Sequence, residues 1–191
     1  MNIWHDINPS FITPENFSAV IEITKGSKVK YEMDKETGLL RLDRILYTST
    51  HYPANYGFIP RTYAEDYDPL DVLVICSEPI IPLTLVQCYP IGMIKMIDGG
   101  LPDEKIIAIP FSDPTYNKRM SIYDLPSHIF DEMAHFFVVY KQLENKQTAV
   151  NDVMDKDAAM KVISEAMQRY KDKFVETQSI FQNEGLDSVK K

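Results

Sequence analysis

The sequence contains little cysteine and has none of the long apolar runs that mark a membrane protein. Its two cysteines, Cys76 and Cys88, lie in apolar, strand-like runs, which indicates buried free thiols in a reducing compartment. No apolar run approaches the ~20 residues that a membrane-spanning helix needs. Residues 1–6 show no basic segment followed by an apolar stretch, the pattern of a signal peptide. We therefore expect a cytoplasmic protein with no membrane partner.

An excess of basic residues is also missing. The sequence has 28 acidic and 20 basic residues, a net charge of −8. This balance argues against a nucleic-acid partner, because a phosphate backbone requires a concentrated basic face.

Several common patterns of active site are absent as well. There is no glycine-rich phosphate loop, and neither cysteine has a neighbouring base in the sequence. The histidines fit no metal-ligand spacing such as HExxH, and we expect them to be structural or at the surface; they are His5, His51, His128 and His135. Thiol catalysis and a histidine-based metal site are therefore not expected.

The length and hydrophobic content predict one domain. With 191 residues, 45% of them hydrophobic, the chain can bury a substantial core. No repeat or linker divides it. We expect a single domain over residues 1–191, with a core at about 15–175, an irregular arm over 1–17 and a loose tail over 178–191.

Short β-branched and aromatic runs, separated by Gly and Pro, predict strands along most of the chain. The predicted strands are residues 18–24, 29–34, 39–46, 72–76, 80–89, 91–97, 106–110 and 147–153. Apolar residues at helical spacing predict one helix after Pro126 and a second capped by Asp155. The predicted fold class is mainly β (α+β): a small closed antiparallel β-barrel, OB-like, flanked by two helices.

A short loop holds three aspartates in six residues: Asp66, Asp68 and Asp71. Pro69 prevents a regular helix there, and an apolar strand follows Asp71. Carboxylates this close together repel one another unless a hard divalent cation binds them. Taken alone, the motif could equally be a solvated acidic loop. An EF-hand fits poorly, because the third acid is one place late and the required Gly is missing.

A charged strand face precedes this loop. Lys30, Glu32 and Asp34 alternate along one predicted strand, and the hairpin that follows would bring Arg44 beside Lys30 and Glu32. Such a face could simply be the solvent side of a sheet.

Together, these segments mix acids with cations and tyrosines. The acids are Asp66, Asp68, Asp71, Asp98, Asp103, Glu22 and Glu32. The cations and tyrosines among them are Lys30, Arg44, Lys105, Tyr52, Tyr56 and Tyr140. A site for a metal alone has no use for the cations, and a site for an anion alone has no use for the carboxylates. The combination indicates metal-assisted phosphoryl transfer to water, with Mg²⁺ as the ion.

Five motifs in this order resemble the soluble inorganic pyrophosphatase family over about residues 15–175. The motifs are Lys30-Tyr-Glu32-Met-Asp34, Leu42-Asp-Arg44, Tyr52-Pro-Ala-Asn-Tyr56-Gly-Phe-Ile-Pro, Asp66-Tyr-Asp68-Pro-Leu-Asp71-Val-Leu-Val and Tyr140-Lys141-Gln-Leu-Glu. The resemblance implies a single-domain β-barrel that hydrolyses pyrophosphate to two phosphates with several Mg²⁺ ions. It also implies a homo-oligomer, with a hexamer favoured because the bacterial members of the family form hexamers.

The resemblance implies metal ligands among the acids. Asp66, Asp71 and Asp103 would hold the ion that activates the water, and Asp71 would be shared with a second ion. Asp98 and Asp103 would hold a third ion that arrives with substrate. Glu32 would reach an ion through water.

It also implies the groups that handle substrate and protons. Asp68 would accept the proton of the attacking water, and Lys105 would lie near the phosphates. Glu22 and Tyr52 would complete the shell. The phosphates would be contacted by Lys30, Arg44, Tyr56, Tyr140 and Lys141.

Two positions depart from the family pattern. Tyr67 stands where the family usually has Gly, so a left-handed backbone there would be strained, and we expect the loop backbone to differ slightly. The second acidic turn lacks the additional acid that usually follows the position of Asp98, but the spacing to Asp103 is kept.

Two other functions remain open from the sequence. One is hydrolysis of a larger phosphoanhydride, such as a nucleotide or polyphosphate, and the other is a non-catalytic barrel that binds an oligonucleotide or a protein.

Overall fold

A computed structural model describes residues 2–146 and 148–176 of the chain. Within these residues, strands make up most of the fold. In chain order they are Phe17–Ile23 (β1), Val29–Met33 (β2), Leu40–Ile45 (β3), Asn55–Ile59 (β4), Leu70–Val74 (β5), Leu85–Asp98 (β6), Leu101–Pro102 (β7), Lys105–Pro110 (β8) and Thr148–Asp155 (β9). The two α-helices are Ser127–Val139 (α1) and Lys156–Tyr170 (α2), and short helical turns cover Pro9–Phe11, Ile122–Asp124, Gln142–Glu144 and Lys171–Glu176. The predicted mainly β fold with two helices is therefore confirmed.

Five strands pair in a closed ring. The order is β1, β4, β5, β8 and β6, and β6 pairs again with β1. Four of these pairs are antiparallel, whereas β5 and β8 run parallel. The prediction of a fully antiparallel arrangement is therefore wrong. The reason is parity: strand directions cannot alternate all the way around a ring with an odd number of members, so at least one pair must be parallel.

The long strand β6 differs from its prediction. The sequence predicts two strands there, interrupted at Pro90, but one continuous strand covers Leu85–Asp98. Its pairing with β8 shifts register between Pro90 and Gly92, and such an irregularity accommodates a residue without an N–H donor. Strand β4 was not predicted as a strand, because its Asn55-Tyr-Gly-Phe-Ile segment carries turn-forming residues at one end.

Strands β2 and β3 form a separate two-stranded sheet beside the ring. Lys30 pairs in register with Arg44, and Glu32 pairs with Arg41. The side chain of Lys30 forms ion pairs with Glu32 and with Asp43. The predicted neighbourhood of Lys30, Glu32 and Arg44 on this hairpin is confirmed.

The helices cover opposite parts of the core. Helix α1 buries apolar side chains that include Met133, Phe136 and Phe137. Helix α2 begins at the cap that was predicted, where the Asp155 side chain accepts from the N–H of Ala158. Neither this helix nor any other in the described residues combines the length and the apolar character that crossing a bilayer requires.

The N-terminal arm is anchored to the rest of the fold. The N-terminal arm is irregular as predicted, with one helical turn, but it is anchored because the buried ring of Trp4 donates from Nε1 to the carbonyl of Thr62 at 2.9 Å. The tail predicted for residues 178–191 lies outside the described residues. Both cysteines are free thiols, and Cys88 is buried whereas Cys76 is half-buried.

Gly57 generates a stability prediction, because β1 and β4 approach each other closely there. A Cβ at this position would lie 1.8 Å from the carbonyl oxygen of Val20. We expect Gly57→Ala to lower the free energy of unfolding by about 3 kcal/mol or more, since backbone must move. Gly26→Ala is a matched control: nothing lies within 4 Å, but its φ of +82° adds a strain of about 1 kcal/mol. Urea unfolding of both variants decides this, and equal losses would contradict it.

Candidate active site

One cavity of about 260 Å³ collects the predicted residues. Its wall includes all of the predicted site residues except Arg44; they are Glu22, Lys30, Glu32, Tyr52, Tyr56, Asp66, Asp68, Asp71, Asp98, Asp103, Lys105, Tyr140 and Lys141. The cavity lies where the ring strands, the β2–β3 hairpin and the end of α1 meet. Residues that are far apart in the sequence therefore share one small space.

Lys105 forms the floor of this cavity. It opens β8, which pairs in parallel with β5 so that Lys105 lies opposite Asp71. Its ammonium group, in a residue only 3% exposed, forms ion pairs with Asp71 and Asp103. Burial alone would lower the pKa of Lys105, but these carboxylates raise it well above its ordinary value. Lys105 is therefore a permanent cation in the site.

Three tyrosine hydroxyl groups surround this cation. Tyr56 donates its hydroxyl to Asp71 at 2.5 Å, and its ring centroid lies 5.7 Å from the Lys105 Nζ. The Tyr52 and Tyr56 rings are 5.4 Å apart. Burial raises the pKa of Tyr52, Tyr56 and Tyr140 above the ordinary value. All three phenols are therefore neutral near pH 7 and are able to donate a hydrogen bond, as Tyr56 does to Asp71.

The acidic loop between β4 and β5 holds its carboxylates at different depths. Asp71 is at the start of β5 and its side chain is 22% exposed, whereas that of Asp68 is 54% exposed. Asp66 accepts from the N–H of Asp68 at 3.2 Å. Burial, reinforced by the charge of Asp71, raises the pKa of Asp66 to about 6. Asp71 therefore lies close enough to disfavour the ionised form of Asp66.

Tyr67 adopts a left-handed backbone in this loop, with a φ of 71°. A side chain there costs about 1–2 kcal/mol compared with glycine. The Tyr67 ring centroid lies 6.2 Å from that of Tyr63, which in turn contacts the rings of Trp4 and Phe174. The loop thus holds Tyr67 in a strained, left-handed conformation, and an aromatic cluster supports it.

The second acidic turn is shaped by glycine. Asp98 ends β6, and Gly99 and Gly100 follow with φ values of 58° and 88°. This left-handed pair reverses the chain directly, so that Asp103 returns to the cavity wall. Lys141, beyond the end of α1, forms an ion pair with Asp98.

Arg44 lies at the edge of the cavity rather than in its wall. Its Nη1 pairs with Asp43, and its Nε donates to Glu144 at 2.8 Å. Among the side chains that the structure describes, the Nη2 of Arg44 is buried without a hydrogen-bond partner. A buried donor of this kind is costly unless something binds it.

Glu22 is the buried acid of strand β1. Its Oε1 accepts from the N–H of Met33 at 2.7 Å. Burial, opposed by that hydrogen bond and helped by the charge of Asp71, raises the pKa of Glu22 to about 8. Glu22 is therefore protonated over much of the neutral range.

The donors in this cavity fit a hard divalent cation. No group of three or more Asp, Glu, His or Cys side chains in the described part of the chain is already arranged around one ion position. The carboxylates are instead paired with lysines: Lys105 holds two of them, Lys141 holds Asp98 and Lys35 holds Asp68. All the acidic side chains offer oxygen, which Mg²⁺ prefers, and the histidines lie outside the cavity wall.

Sequence reasoning did not select three residues that contact this site. Lys35 lines the cavity and pairs with Asp68, and Asp43 and Glu144 bind Arg44. Asp43 lies inside the Leu42–Arg44 motif, and Glu144 ends the Tyr140–Glu144 motif. Their position in these motifs is the sequence signal that identifies them as candidates. Lys35 follows the Lys30–Asp34 motif directly, but it is exposed at a turn, where a lysine carries no particular signal.

Comparison with known proteins supports the predicted family. The family model for inorganic pyrophosphatase matches residues 19–171. The chain is 48% identical to soluble inorganic pyrophosphatase 1 of Arabidopsis thaliana over 174 residues, which are 91% of this chain and 82% of that protein. The crystal structure of inorganic pyrophosphatase from Thermus thermophilus is similar with a TM-score of 0.85 and 36% identity, covering 90% of this chain and 99% of that one. That from Helicobacter pylori has a TM-score of 0.80 and 42% identity, covering 83% and 95%.

The mainly β fold, the mixed acidic and basic cavity and these relatives define a hydrolase that acts on a phosphoanhydride. The chain belongs to the inorganic pyrophosphatase family.

The raised pKa of Glu22 makes the effect of its replacement depend on pH. In the unfolded chain Glu22 ionises near its ordinary pKa of about 4.3, whereas in the fold its pKa is about 8. The folded state therefore holds the proton more tightly, and stability is lost as pH rises between these values. At pH 9, Glu22→Gln should raise the free energy of unfolding by roughly 2–4 kcal/mol. At pH 5.5 the gain should be less than half of that.

Urea unfolding in excess EDTA at the two pH values measures this difference. Glu15→Gln, at an exposed position, serves as the control and should change stability by less than about 0.5 kcal/mol at either pH. A Glu22→Gln gain that is the same at both pH values would show that Glu22 is ionised in the fold.

Proposed function

We propose that this protein hydrolyses inorganic pyrophosphate to two phosphates with Mg²⁺ bound in the cavity. The proposal rests on one observation: carboxylate side chains and hydrogen-bond donors line the same cavity of about 260 Å³. That volume is below the roughly 300–1,000 Å³ of sites for drug-sized ligands. It suits a small, highly charged phosphate compound better than a nucleotide.

The carboxylates would hold the metal ions. Asp66, Asp71 and Asp103 would bind one ion, with Asp71 shared by a second; Asp98 and Asp103 would bind a third, and Glu32 would act through water. When bound, Mg²⁺ neutralises phosphate oxygens and lowers the pKa of a bound water toward the neutral range. The lysines that pair with these acids offset part of the repulsion among the carboxylates.

The donors would hold the two phosphates. Lys30, Lys141 and the unpaired Nη2 of Arg44 supply positive charge, and charge-assisted hydrogen bonds to phosphate are the strong ones. The neutral hydroxyl groups of Tyr56 and Tyr140 donate without adding charge. Lys105 stabilises negative charge from the floor of the cavity, and Tyr52 and the protonated Glu22 complete its wall.

Asp68 would act as general base toward the attacking water. The side chain of Asp68 is more exposed than that of Asp71. It accepts a hydrogen bond from Lys35, which also lines the cavity. A base must reach a mobile water and release the proton afterwards, so access matters more for it than rigidity.

One assay tests the activity directly. Phosphate release should be fast from pyrophosphate with Mg²⁺, and it should be lost in excess EDTA. ATP and a phosphomonoester should be poor substrates, because the cavity is small. Ca²⁺ should bind but inhibit, since it is larger and less strict in geometry and misplaces the water relative to phosphorus. Full turnover in EDTA would overturn the metal requirement, and preference for ATP would favour the larger phosphoanhydride.

The loop aspartates should differ when each is replaced by Asn. Asp71 accepts from both Tyr56 and Lys105 and would serve two ions, so Asp71→Asn should lower Mg²⁺ affinity and activity together. Asp66→Asn should resemble it in milder form. Asp68→Asn should largely spare Mg²⁺ binding while cutting the rate roughly 10²–10⁴-fold, the range of general-base help.

Calorimetric Mg²⁺ titration beside steady-state rates separates these variants. The base assignment is wrong if Asp68→Asn loses Mg²⁺ as badly as Asp71→Asn does. The homo-oligomer, with a hexamer favoured, and the cytoplasmic location stay predictions; light scattering at micromolar concentration measures the first of them.

A further inference from the structure

The guanidinium group of Arg44 is fixed from two sides. Asp43 binds Nη1, and Glu144 accepts from Nε at 2.8 Å. The side chains of Arg44 and Glu144 are only 18% and 9% exposed. With Nε and Nη1 engaged, the rotation of the planar group is set, and Nη2 remains as a buried donor without a partner in the described residues.

Glu144 reaches Arg44 across a long stretch of chain. The two residues are 100 positions apart, and Arg44 lies on a two-stranded sheet that is not paired with the strand ring. Glu144 ends the short helical turn Gln142–Glu144, and its N–H donates to the carbonyl of Lys141 at 2.9 Å. Asn145 follows in a left-handed conformation, with a φ of 56°, and terminates the turn. Glu144 therefore ties the β2–β3 hairpin at the cavity edge to a defined point after α1.

Arg44 lies beside the cavity. The positive charge of Arg44 acts on Tyr52 and on Tyr140, lowering the pKa of each against the larger effect of burial. Both tyrosines line the cavity. Arg44 is thus close to the place where phosphate is proposed to bind, although it is outside the cavity wall.

We infer that Glu144 is a positioning residue for substrate binding: by holding Nε of Arg44, it aims Nη2 at a phosphate oxygen. This inference rests on the proposed function. The alternative is that the pair only stabilises the fold. Because a buried ion pair contributes little net stability compared with an apolar pair, the 100-residue link and the unpaired Nη2 favour the positioning role.

The inference predicts a specific kinetic change. The Arg44 contact would be made in the ground state and the transition state alike, so losing its orientation removes uniform binding. Glu144→Ala should raise the KM for Mg²⁺-pyrophosphate about tenfold, the effect of one well-placed charge-assisted hydrogen bond, and change kcat less than about threefold. The Kd of methylenediphosphonate, which is not hydrolysed, should rise by the same factor. Glu144→Asp, which keeps the charge, should restore part of the affinity.

A double-mutant cycle shows whether Glu144 acts through Arg44. Lysine at position 44 has no fork to orient, so adding Glu144→Ala to Arg44→Lys should change KM less than twofold. Glu132→Ala, at an exposed position on α1, is the matched control and should leave KM unchanged. If Glu144→Ala does not fold by circular dichroism, Glu144→Leu takes its place in the cycle, since it fills a similar volume but cannot accept the hydrogen bond from Nε.

The outcomes separate this inference from the proposed function. If the wild-type protein releases no phosphate from pyrophosphate with Mg²⁺, the proposed function fails and the inference fails with it. If the wild type is active but KM is unchanged in the folded Glu144 variants, the inference alone is overturned. Equal KM increases with Arg and with Lys at position 44 would also overturn it, because Glu144 would then act independently of Arg44.

Discussion

The burial of the Lys105 ammonium group is the constraint on which the site depends. An isolated buried charge is strongly unfavourable, and it is tolerated only when opposite charges and hydrogen bonds surround it. Asp71 and Asp103 supply those charges. Asp71 is brought to Lys105 by the parallel register of β5 and β8, and Asp103 by the turn that precedes β8. The fold and the site therefore depend on each other here. The strand order brings the three charged side chains together, and their ion pairs in turn favour that strand order.

The other lysines around the cavity are paired with acids in the same way as Lys105. Each lysine at the cavity has an acidic partner within the chain, so the strongly acidic loops do not accumulate unbalanced charge. The protein as a whole is acidic, with a net charge of −8, yet its site is a mixture of both signs. If the proposed metal ions and phosphate bind together, these internal pairs would be exchanged for pairs with the ligands, and the total charge within the cavity would change little. Such a site can bind a highly charged substrate without a large net electrostatic cost.

Much of this arrangement is predictable from the sequence, and what is not has physical reasons. The strands and helices follow local periodicity, and the acidic loop and the hairpin cations are close in the sequence. The left-handed backbone at Tyr67 does not follow from its residue type, because a tyrosine disfavours this conformation and the loop imposes it. Local signals also explain one error. Pro90 predicts a break between two strands, but β6 continues through it because a register shift in its pairing with β8 accommodates the proline.

The features that sequence reasoning did not recover depend on distant partners. The parallel pair follows from the number of strands in the ring, a property that no single segment carries. The contact of Glu144 with Arg44 depends on where the end of α1 lies relative to the hairpin. Lys35 reaches Asp68 across 33 positions, and its own segment reads as an ordinary solvent-exposed turn. Local patterns thus select the chemical groups, whereas tertiary packing selects their partners.

Closure of the five-strand ring has a consequence for how the chain folds. Strands β1 and β6, which close the ring, are separated in the sequence by β2 to β5. Strands β5 and β8, which pair in parallel, are separated by β6 and β7. Contacts of this kind have a high contact order, and such topologies form slowly because loop entropy is lost before the contacts compensate for it. The cavity receives residues from both sides of this closure. Catalytic competence therefore arises late and all at once, and a nascent chain that has not yet produced β8 lacks the cation on which the site is built.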